Sequence, residues 1–310
     1  MAKLLRDRLQ IRPTDWISPY ILVAALSMSM LGLVMLFSAG AVKGAQSLLV
    51  KQLIWLGLSS LAFLYAVFMD LNWLRRKSWF VYGFCLLALA LVLVPGLGVK
   101  VNGAQRWLGL GPLRVQPSEF AKLGLVLVMA TYFAANQRTC QTFFRGFAYP
   151  SLIIGVCCVL IILQPDFGTC FLCGAVAATM MFHSGTSLRW LLPISSLVIA
   201  LFSLLVYLDP VRIRRVTSFL DVEANSNDSS YQLWQGMLAF GVGGTDGVGL
   251  GLGRQQLHFL PEAHTDFIFP VIGEELGLTC TLIIVVAFLV LFGGSYWKLR
   301  HAPRVFEYQL

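Results

Sequence analysis

The sequence predicts an all-α, polytopic membrane protein with about eight transmembrane helices. Three observations support this prediction: 57% of the 310 residues are hydrophobic, only 12% are charged, and the mean hydropathy is +0.75. A typical soluble domain has about 25% charged residues, so this chain has too few to cover the surface of one or two soluble domains. The same composition excludes an intrinsically disordered chain, a collagen-like repeat and a small disulfide scaffold.

Eight apolar runs are comparable in length to a membrane-spanning helix, which needs about 20 residues. The runs lie at about 17–38, 48–69, 79–97, 119–135, 147–164, 168–183, 188–208 and 267–293. We therefore expect a single membrane domain over residues 1–310, in which a large extracytoplasmic loop at 209–266 precedes the last helix.

The distribution of Lys and Arg predicts that the N-terminus and the C-terminus lie in the cytoplasm. With that orientation, the inside segments hold 13 of the 23 Lys and Arg residues. Two outer segments remain, at 98–118 and 209–266, and the second is too long for an ordinary connection. The net charge of +8 fits cytoplasmic loops and anionic lipids, and the sequence has no clustered basic face of the kind that binds nucleic acid.

Charged residues at the ends of apolar runs are the first candidates for function, because charge is costly in a membrane. Glu119 and Lys122 are three residues apart on one helical face, so they either form an ion pair that fixes the helix or take part in function. Asp166 lies at a predicted outer turn, where we expect it to cap the next helix. Glu274 and Glu275 lie near the start of the last span, where we expect solvent to reach them.

The stretch 259–269 is the richest in polar groups and contains Glu262, His264 and Asp266. Asp266 lies at the membrane surface, where partial desolvation of its carboxylate would raise its pKa towards the range of a general base. The alternative is a structural one, in which Thr265 or Asp266 caps the last helix. The residues alone leave both interpretations open.

A Gly-rich stretch at 241–253 is either a re-entrant turn or a backbone that approaches a ligand closely and offers N–H groups to an anion. Several arginines accompany the outer segments, where the positive-inside rule would not place them: Arg106, Arg212, Arg215 and Arg254. Guanidinium groups suit phosphate oxygens, and pairing with an acid of the loop is an equal alternative for each of these arginines. No metal site is predicted, since Cys170 and Cys173 have zinc spacing but no second pair. These features suit an anionic lipid-linked substrate without distinguishing an enzyme from a transporter.

Short motifs along the whole chain resemble those of one known family. The motifs are RVTSFLD at 215–221, YQL at 231–233, LPEAHTDFIF at 260–269, GEELG at 273–277, NGAQRW at 102–107, QPSE at 116–119 and QPD at 164–166. They resemble the SEDS family (shape, elongation, division and sporulation), and more its division-type than its elongation-type members.

The resemblance implies a peptidoglycan glycosyltransferase that polymerises lipid II at the outer face of the cytoplasmic (inner) membrane, at the division site. In that family the essential carboxylate of the His-Thr-Asp-Phe motif corresponds to Asp266, which would act as the general base. The resemblance also implies substrate-binding residues: Arg106, Arg212, Arg215, Arg254, Glu262 and His264. The arginines, or a divalent cation such as Mg²⁺ or Mn²⁺, would offset the charge of the leaving pyrophosphate.

The implied partners are lipid II, a class B penicillin-binding protein transpeptidase and other divisome proteins, with no nucleic acid. Two other interpretations stay open: a lipid II flippase whose path Glu119 and Lys122 line, and a non-catalytic division scaffold. Family members usually have ten helices and eight are predicted here, so we expect either a naturally short protein or a sequence that continues beyond Leu310. Three positions depart from the family's usual residues: Gln105, Gln256 and Pro270.

Overall fold

The computed structural model describes residues 17–40, 45–101, 104–110, 113–220, 222–223, 230–255, 265–302 and 304–310. Its helices are α1 (Ile17–Gly40), α2 (Ala45–Phe68), α3 (Leu71–Leu93), α4 (Pro117–Asn136), α5 (Tyr149–Ile162), α6 (Phe167–His183), α7 (Leu188–Leu208), α8 (Pro210–Leu220), α9 (Tyr231–Gly243), α10 (Ile268–Leu299) and α11 (Val305–Gln309). A 3-10 turn at Gln137–Thr139 and a π-helical turn at Phe143–Ala148 connect α4 to α5. The predicted all-α architecture is confirmed.

In the described residues, seven segments are long and apolar enough to cross a membrane. They are Ile17–Ser38, Leu48–Phe68, Leu71–Leu93, Pro117–Thr139, Phe143–Ile162, Leu188–Leu208 and Ile268–Leu299. The remaining predicted span forms α6, which is apolar but has only 17 residues. The chain is therefore a polytopic membrane protein, as the composition predicts.

Helix α3 begins at Leu71, eight residues before the predicted start of this span. Asp70 caps the helix, since its side chain accepts a hydrogen bond from the backbone N–H of Asn72 at 2.9 Å. Three basic residues expected in a cytoplasmic connection therefore lie in the helix itself: Arg75, Arg76 and Lys77. The prediction that they lie outside the helix was wrong. Hydropathy detects only the apolar part of a helix, whereas the cap at Asp70 extends this helix into polar sequence.

The segment 98–118, which is predicted to lie outside, contains a small sheet that the sequence did not predict. Its strands are β1 (Gly98–Val101), β2 (Ala104–Leu110) and β3 (Leu113–Val115), antiparallel and in the order β1-β2-β3. The side-chain amide of Gln105 on β2 donates to the carbonyl of Val92 at 2.8 Å and so attaches the sheet to the end of α3. Strands of three to seven residues are too short for a reliable alternation of apolar and polar residues.

The chain divides into two compact units. The first comprises Met1–Val67 and Ser203–His301, and the second comprises Phe68–Phe202 and Ala302–Leu310. The larger core belongs to the second unit, where α3, α4, α5 and α6 bury side chains such as Leu89, Phe133 and Ile161. In the first unit α1 and α10 pack together through a smaller cluster: Met35, Val271, Ile272 and Ile284.

Candidate active site

The end of the long outer segment folds along the start of the last membrane helix. Where α9 meets α10, a Cβ added to Gly236 would lie 3.2 Å from Pro270, and one added to Gly243 would lie 2.0 Å from the carbonyl oxygen of Gly273. The backbones therefore approach closely because α9 presents glycine at these positions. Residues 231–255 form a helix and a Gly-rich loop that pack beside α10, and the two interpretations of the Gly-rich stretch stay open.

Helix α10 is interrupted at Gly277, where the backbone leaves helical geometry with φ +74°. A break inside a helix leaves backbone polar groups without their intrahelical partners, and buried groups of this kind need other ones. The Gly-rich loop supplies partners for four of them: Val248 N donates to Glu274 O and Gly249 N to Glu275 O, each at 2.9 Å, while Leu278 N donates to Gly244 O at 2.9 Å and Thr279 N to Thr245 O at 3.3 Å. The loop and the broken helix therefore form one hydrogen-bonded structure.

At two positions of this structure, both the available space and the backbone conformation require glycine. Gly247 has φ +79°, and a Cβ there would lie 2.3 Å from the carbonyl oxygen of Glu275. At Gly277 a Cβ would lie 2.4 Å from the carbonyl oxygen of Thr245. At both positions the positive φ disfavours any residue with a Cβ, and the neighbouring carbonyl oxygen leaves no space for one.

The carboxylates of Glu274 and Glu275 are buried beneath the Gly-rich loop, each only 1% exposed. The expectation that solvent reaches them was wrong, because no local sequence pattern shows that this loop packs over the start of α10. Glu274 Oε1 accepts hydrogen bonds from the backbone N–H groups of Arg254 at 2.8 Å and Gln255 at 3.3 Å. Glu275 Oε2 accepts one from Ser38 Oγ of α1 at 2.6 Å. Two N–H groups at the end of the Gly-rich stretch thus bind an internal carboxylate.

Asp266 lies in the turn directly before α10, and its side chain is exposed. The residue that caps α10 is Phe267, with no capping bond from a side chain, so the interpretation of Thr265 or Asp266 as the N-cap was wrong. The exposed position also differs from the partial desolvation that the sequence predicts. It leaves the Asp266 carboxylate accessible to a substrate at the end of the membrane span.

Of the other residues expected in the first unit, Arg254 is described with its side chain, which is exposed at the end of the Gly-rich loop. Arg212 and Arg215 lie on α8, but their side chains are outside the described part of the structure. Glu262 and His264 also lie outside the described residues. The substrate-binding roles predicted for all five of these residues stay predictions.

In the second unit, Arg106 on β2 contacts the turn between α5 and α6. Its Nε donates to the carbonyl of Gln164 at 3.3 Å, and its Nη1 lies 3.8 Å from Asp166 Oδ1. Asp166 is buried and caps α6 by accepting bonds from the N–H and the hydroxyl of Thr169 at 3.3 and 2.9 Å. The predicted cap is confirmed. Arg106 thus pairs with an acid of this turn and not with an acid of the long loop, and a third of its side chain stays exposed, so its predicted role in substrate binding stays a prediction.

Glu119 and Lys122 form the predicted ion pair in the first turns of α4. Lys122 Nζ lies 2.9 Å from Glu119 Oε2 and donates to Oε1 at 3.0 Å. The side chain of Glu119 is 55% exposed and that of Lys122 is 28% exposed, so the pair lies at the surface of the chain. The face of α4 that carries both residues is turned away from the core of the second unit.

The matches to known proteins agree with this architecture. The family model described as "Cell cycle protein", which covers FtsW, RodA and SpoVE, matches residues 19–308. The chain belongs to the FtsW, RodA and SpoVE family. The resemblance to SEDS motifs is thereby confirmed for both compact units.

Among curated relatives of the FtsW, RodA and SpoVE family, two are named probable peptidoglycan glycosyltransferase FtsW. The protein from Marinobacter nauticus is 39% identical over 292 residues, which cover 92% of this chain and 73% of the relative. The protein from Allochromatium vinosum is 43% identical over 242 residues, which cover 78% of this chain and 61% of the relative. A solved peptidoglycan synthase complex that coordinates polymerisation and crosslinking contains a chain with 28% identity and a TM-score of 0.72, covering 93% of this chain and 80% of that one.

Sequence analysis of this family member missed the contacts that hold its Gly-rich loop. Ser38 and Glu275 are 237 residues apart, so no local pattern could pair them. The GEELG motif at 273–277 gave a signal, because a glycine follows two acids by two residues within an apolar run. That spacing was consistent with a break in the helix, and the break brings Glu274 to the loop.

Proposed function

We propose that this chain is a peptidoglycan glycosyltransferase that polymerises lipid II into glycan strands at the outer face of the cytoplasmic membrane during cell division. The observation that carries this conclusion is the family match over residues 19–308, together with relatives at 39% and 43% identity that are named as such enzymes. The membrane helices suit a substrate that is itself anchored in the bilayer. In this proposal the N-terminus is cytoplasmic and the enzyme acts at the division site.

Asp266 is the general base of the proposed reaction. The 4-hydroxyl oxygen of the acceptor's GlcNAc forms a bond to the anomeric carbon of the donor's MurNAc, and Asp266 takes the hydroxyl proton. The bond from that carbon to the pyrophosphate oxygen breaks, and undecaprenyl pyrophosphate leaves with inversion. A base must come within hydrogen-bond reach of the proton it removes. The exposed carboxylate in the turn before α10 supports this role.

The leaving pyrophosphate needs positive charge, and arginines are the groups we assign to it. Arg254 is the best supported, since its side chain is exposed at the end of the loop whose backbone Glu274 binds. Arg106, Arg212, Arg215, Glu262 and His264 complete the proposed substrate-binding residues. The described residues contain no group of three His, Cys, Asp or Glu side chains placed to hold a metal ion, and no step of the proposed reaction is assigned to Mg²⁺ or Mn²⁺.

The proposed partner is a class B penicillin-binding protein transpeptidase, with other divisome proteins. The similarity to a chain of a peptidoglycan synthase complex, at a TM-score of 0.72, supports an assembly in which polymerisation and crosslinking are coupled. The partner would crosslink the strands that this chain polymerises.

Polymerisation of fluorescent lipid II by the purified protein with its partner transpeptidase tests the proposal. We expect glycan strands on a gel from the wild type and none from Asp266→Asn, which keeps the shape of the side chain but cannot accept the proton. Glu223→Gln is the matched control, because Glu223 is an exposed carboxylate of the same outer segment. Equal product from Asp266→Asn and wild type would overturn the assignment of the base.

The same preparations separate the two alternatives from the glycosyltransferase. A flippase would move lipid II across the membrane of a vesicle without making glycan strands. A scaffold would neither transport nor polymerise lipid II, but it would still bind the transpeptidase. Absence of strands from wild type together with transport that Asp266→Asn leaves unchanged would favour the flippase. Strands that depend on Asp266 exclude both alternatives as the whole function.

A further inference from the structure

We propose that Glu274 is a positioning residue for Asp266: its buried carboxylate holds the end of the Gly-rich loop against the same helix that begins directly after Asp266. This inference rests on the proposed function, in which Asp266 is the base. It concerns a carboxylate that the reaction itself does not use.

The contact between Glu274 and the loop is formed by both oxygens of the carboxylate. Oε1 accepts from Arg254 N at 2.8 Å and from Gln255 N at 3.3 Å, and Oε2 accepts from Gln255 N at 3.2 Å. A carboxylate bound by backbone N–H groups forms charge-assisted hydrogen bonds, which are stronger than neutral ones. Because the side chain is 1% exposed, water cannot replace these bonds when they are lost.

The loop is shaped to allow this contact. Gly253, directly before the two N–H groups, is buried, and a Cβ there would lie 3.0 Å from Glu274 Oε2 and 3.1 Å from Glu275 Oε1. An added methyl group would therefore push the loop away from the carboxylates. Glycine at this position is an independent indication that the close approach of loop and carboxylate belongs to the fold.

The position of Glu274 along the chain connects this contact to Asp266. Gln255 precedes Asp266 by eleven residues, and Glu274 follows Asp266 by eight, in the second turn of α10. Both ends of the chain segment that carries Asp266 are therefore attached to the first turns of one helix. Loss of the Glu274 contact would remove the attachment at the N-terminal end of this segment, and a base misplaced by about 1 Å can lose about 100-fold in rate.

Glu275 provides a matched control. It is the adjacent residue and equally buried, but its Oε2 accepts from Ser38 of α1. Glu275→Gln therefore removes the same charge at the same depth without removing the acceptor of the Arg254 and Gln255 N–H groups. A general effect of lost charge in the first unit would appear in both variants.

The first test is steady-state polymerisation of lipid II by the full chain with its partner transpeptidase. We expect Glu274→Gln to lower kcat by about 10- to 100-fold with little change in KM, since positioning of the base affects the chemical step. Glu274→Asp keeps the charge and should recover part of kcat, and Glu275→Gln should stay near wild type. An equal loss of kcat in Glu274→Gln and Glu275→Gln, or no loss in either, overturns the inference.

The second test does not depend on activity. Hydrogen–deuterium exchange resolved to single amides should show faster exchange at Arg254 and Gln255 in Glu274→Gln than in wild type or Glu275→Gln. Unchanged protection of these amides in Glu274→Gln overturns the inference even if the enzyme polymerises lipid II. A wild type that makes no strands overturns the proposed function, while the exchange rates still decide whether Glu274 holds the loop.

Gly253→Ala perturbs the same contact from the loop side and serves if Glu274→Gln does not fold. We expect the same direction in both tests, with a smaller effect, because the carboxylate stays in place and only the approach is hindered. Wild-type kcat and wild-type protection in Gly253→Ala would contradict the proposed contact.

Discussion

Gly247→Ala should destabilise the first unit at the point where the Gly-rich loop meets the break in α10. The added Cβ would lie 2.3 Å from the carbonyl oxygen of Glu275, so loop or helix must move by about 1 Å to reach an ordinary contact distance. Two of the hydrogen bonds across the break directly follow this position, Val248 N to Glu274 O and Gly249 N to Glu275 O, each 2.9 Å. The movement would lengthen both.

The magnitude follows from these two effects. A residue with a Cβ at φ +79° costs about 1–2 kcal/mol relative to glycine. Weakening two buried backbone hydrogen bonds costs about 0.5–1.5 kcal/mol each. We therefore expect Gly247→Ala to lower the free energy of unfolding by about 2–5 kcal/mol. In a chain of this size that corresponds to a decrease in Tm of roughly 5–15 °C.

Thermal unfolding in detergent, followed by the loss of monodisperse protein, measures this decrease. Gly241→Ala is the control, because Gly241 lies in α9 and a Cβ there meets nothing within 4 Å. Alanine favours a helix over glycine by about 1 kcal/mol, so the control should unfold at the wild-type temperature or above. The reasoning is refuted if Gly247→Ala unfolds at the same temperature as Gly241→Ala.

Three further predictions concern the second unit. A double-mutant cycle on Glu119 and Lys122 should give a coupling of about 0.2–1 kcal/mol in unfolding, because the pair is partly exposed; a coupling near zero would contradict the ion pair. Asp166→Ala should lower the free energy of unfolding by about 1–2 kcal/mol because the cap of α6 is lost, whereas Asp166→Asn keeps the cap and should lower it less. Equal decreases for both variants in thermal unfolding would show that the cap contributes little. Burial raises the pKa of the Cys140 thiol, so less thiolate is present at a given pH in the folded than in the unfolded chain, and peptide mapping should show slower alkylation of folded Cys140 at neutral pH.

The sequence was sufficient for features that depend on composition and short spacing. Apolar runs locate the membrane helices because the bilayer sets a minimum length for a span. The pairing of Glu119 with Lys122 and the cap at Asp166 were predictable because each involves residues three positions apart. The family was predictable because its motifs are short and lie along the whole chain.

The environment of each charged residue depended on long-range contacts and could not be predicted in the same way. The position of Glu274 and Glu275 near the start of a span predicted that solvent reaches them, yet residues 231–255 fold along α10 and bury both. A hydropathy profile records what each residue prefers and not which segment lies against it.

Composition and the lengths of the apolar runs establish the membrane class and the positions of the helices, and motif resemblance indicates the family and the candidate base Asp266. Tertiary contacts decide how Glu274 and Glu275 are buried. The helix break at Gly277 leaves backbone polar groups without intrahelical partners, and the Gly-rich loop satisfies four of them. The partners of these groups are far apart in sequence, so the burial of Glu274 became apparent only when the chain was seen folded.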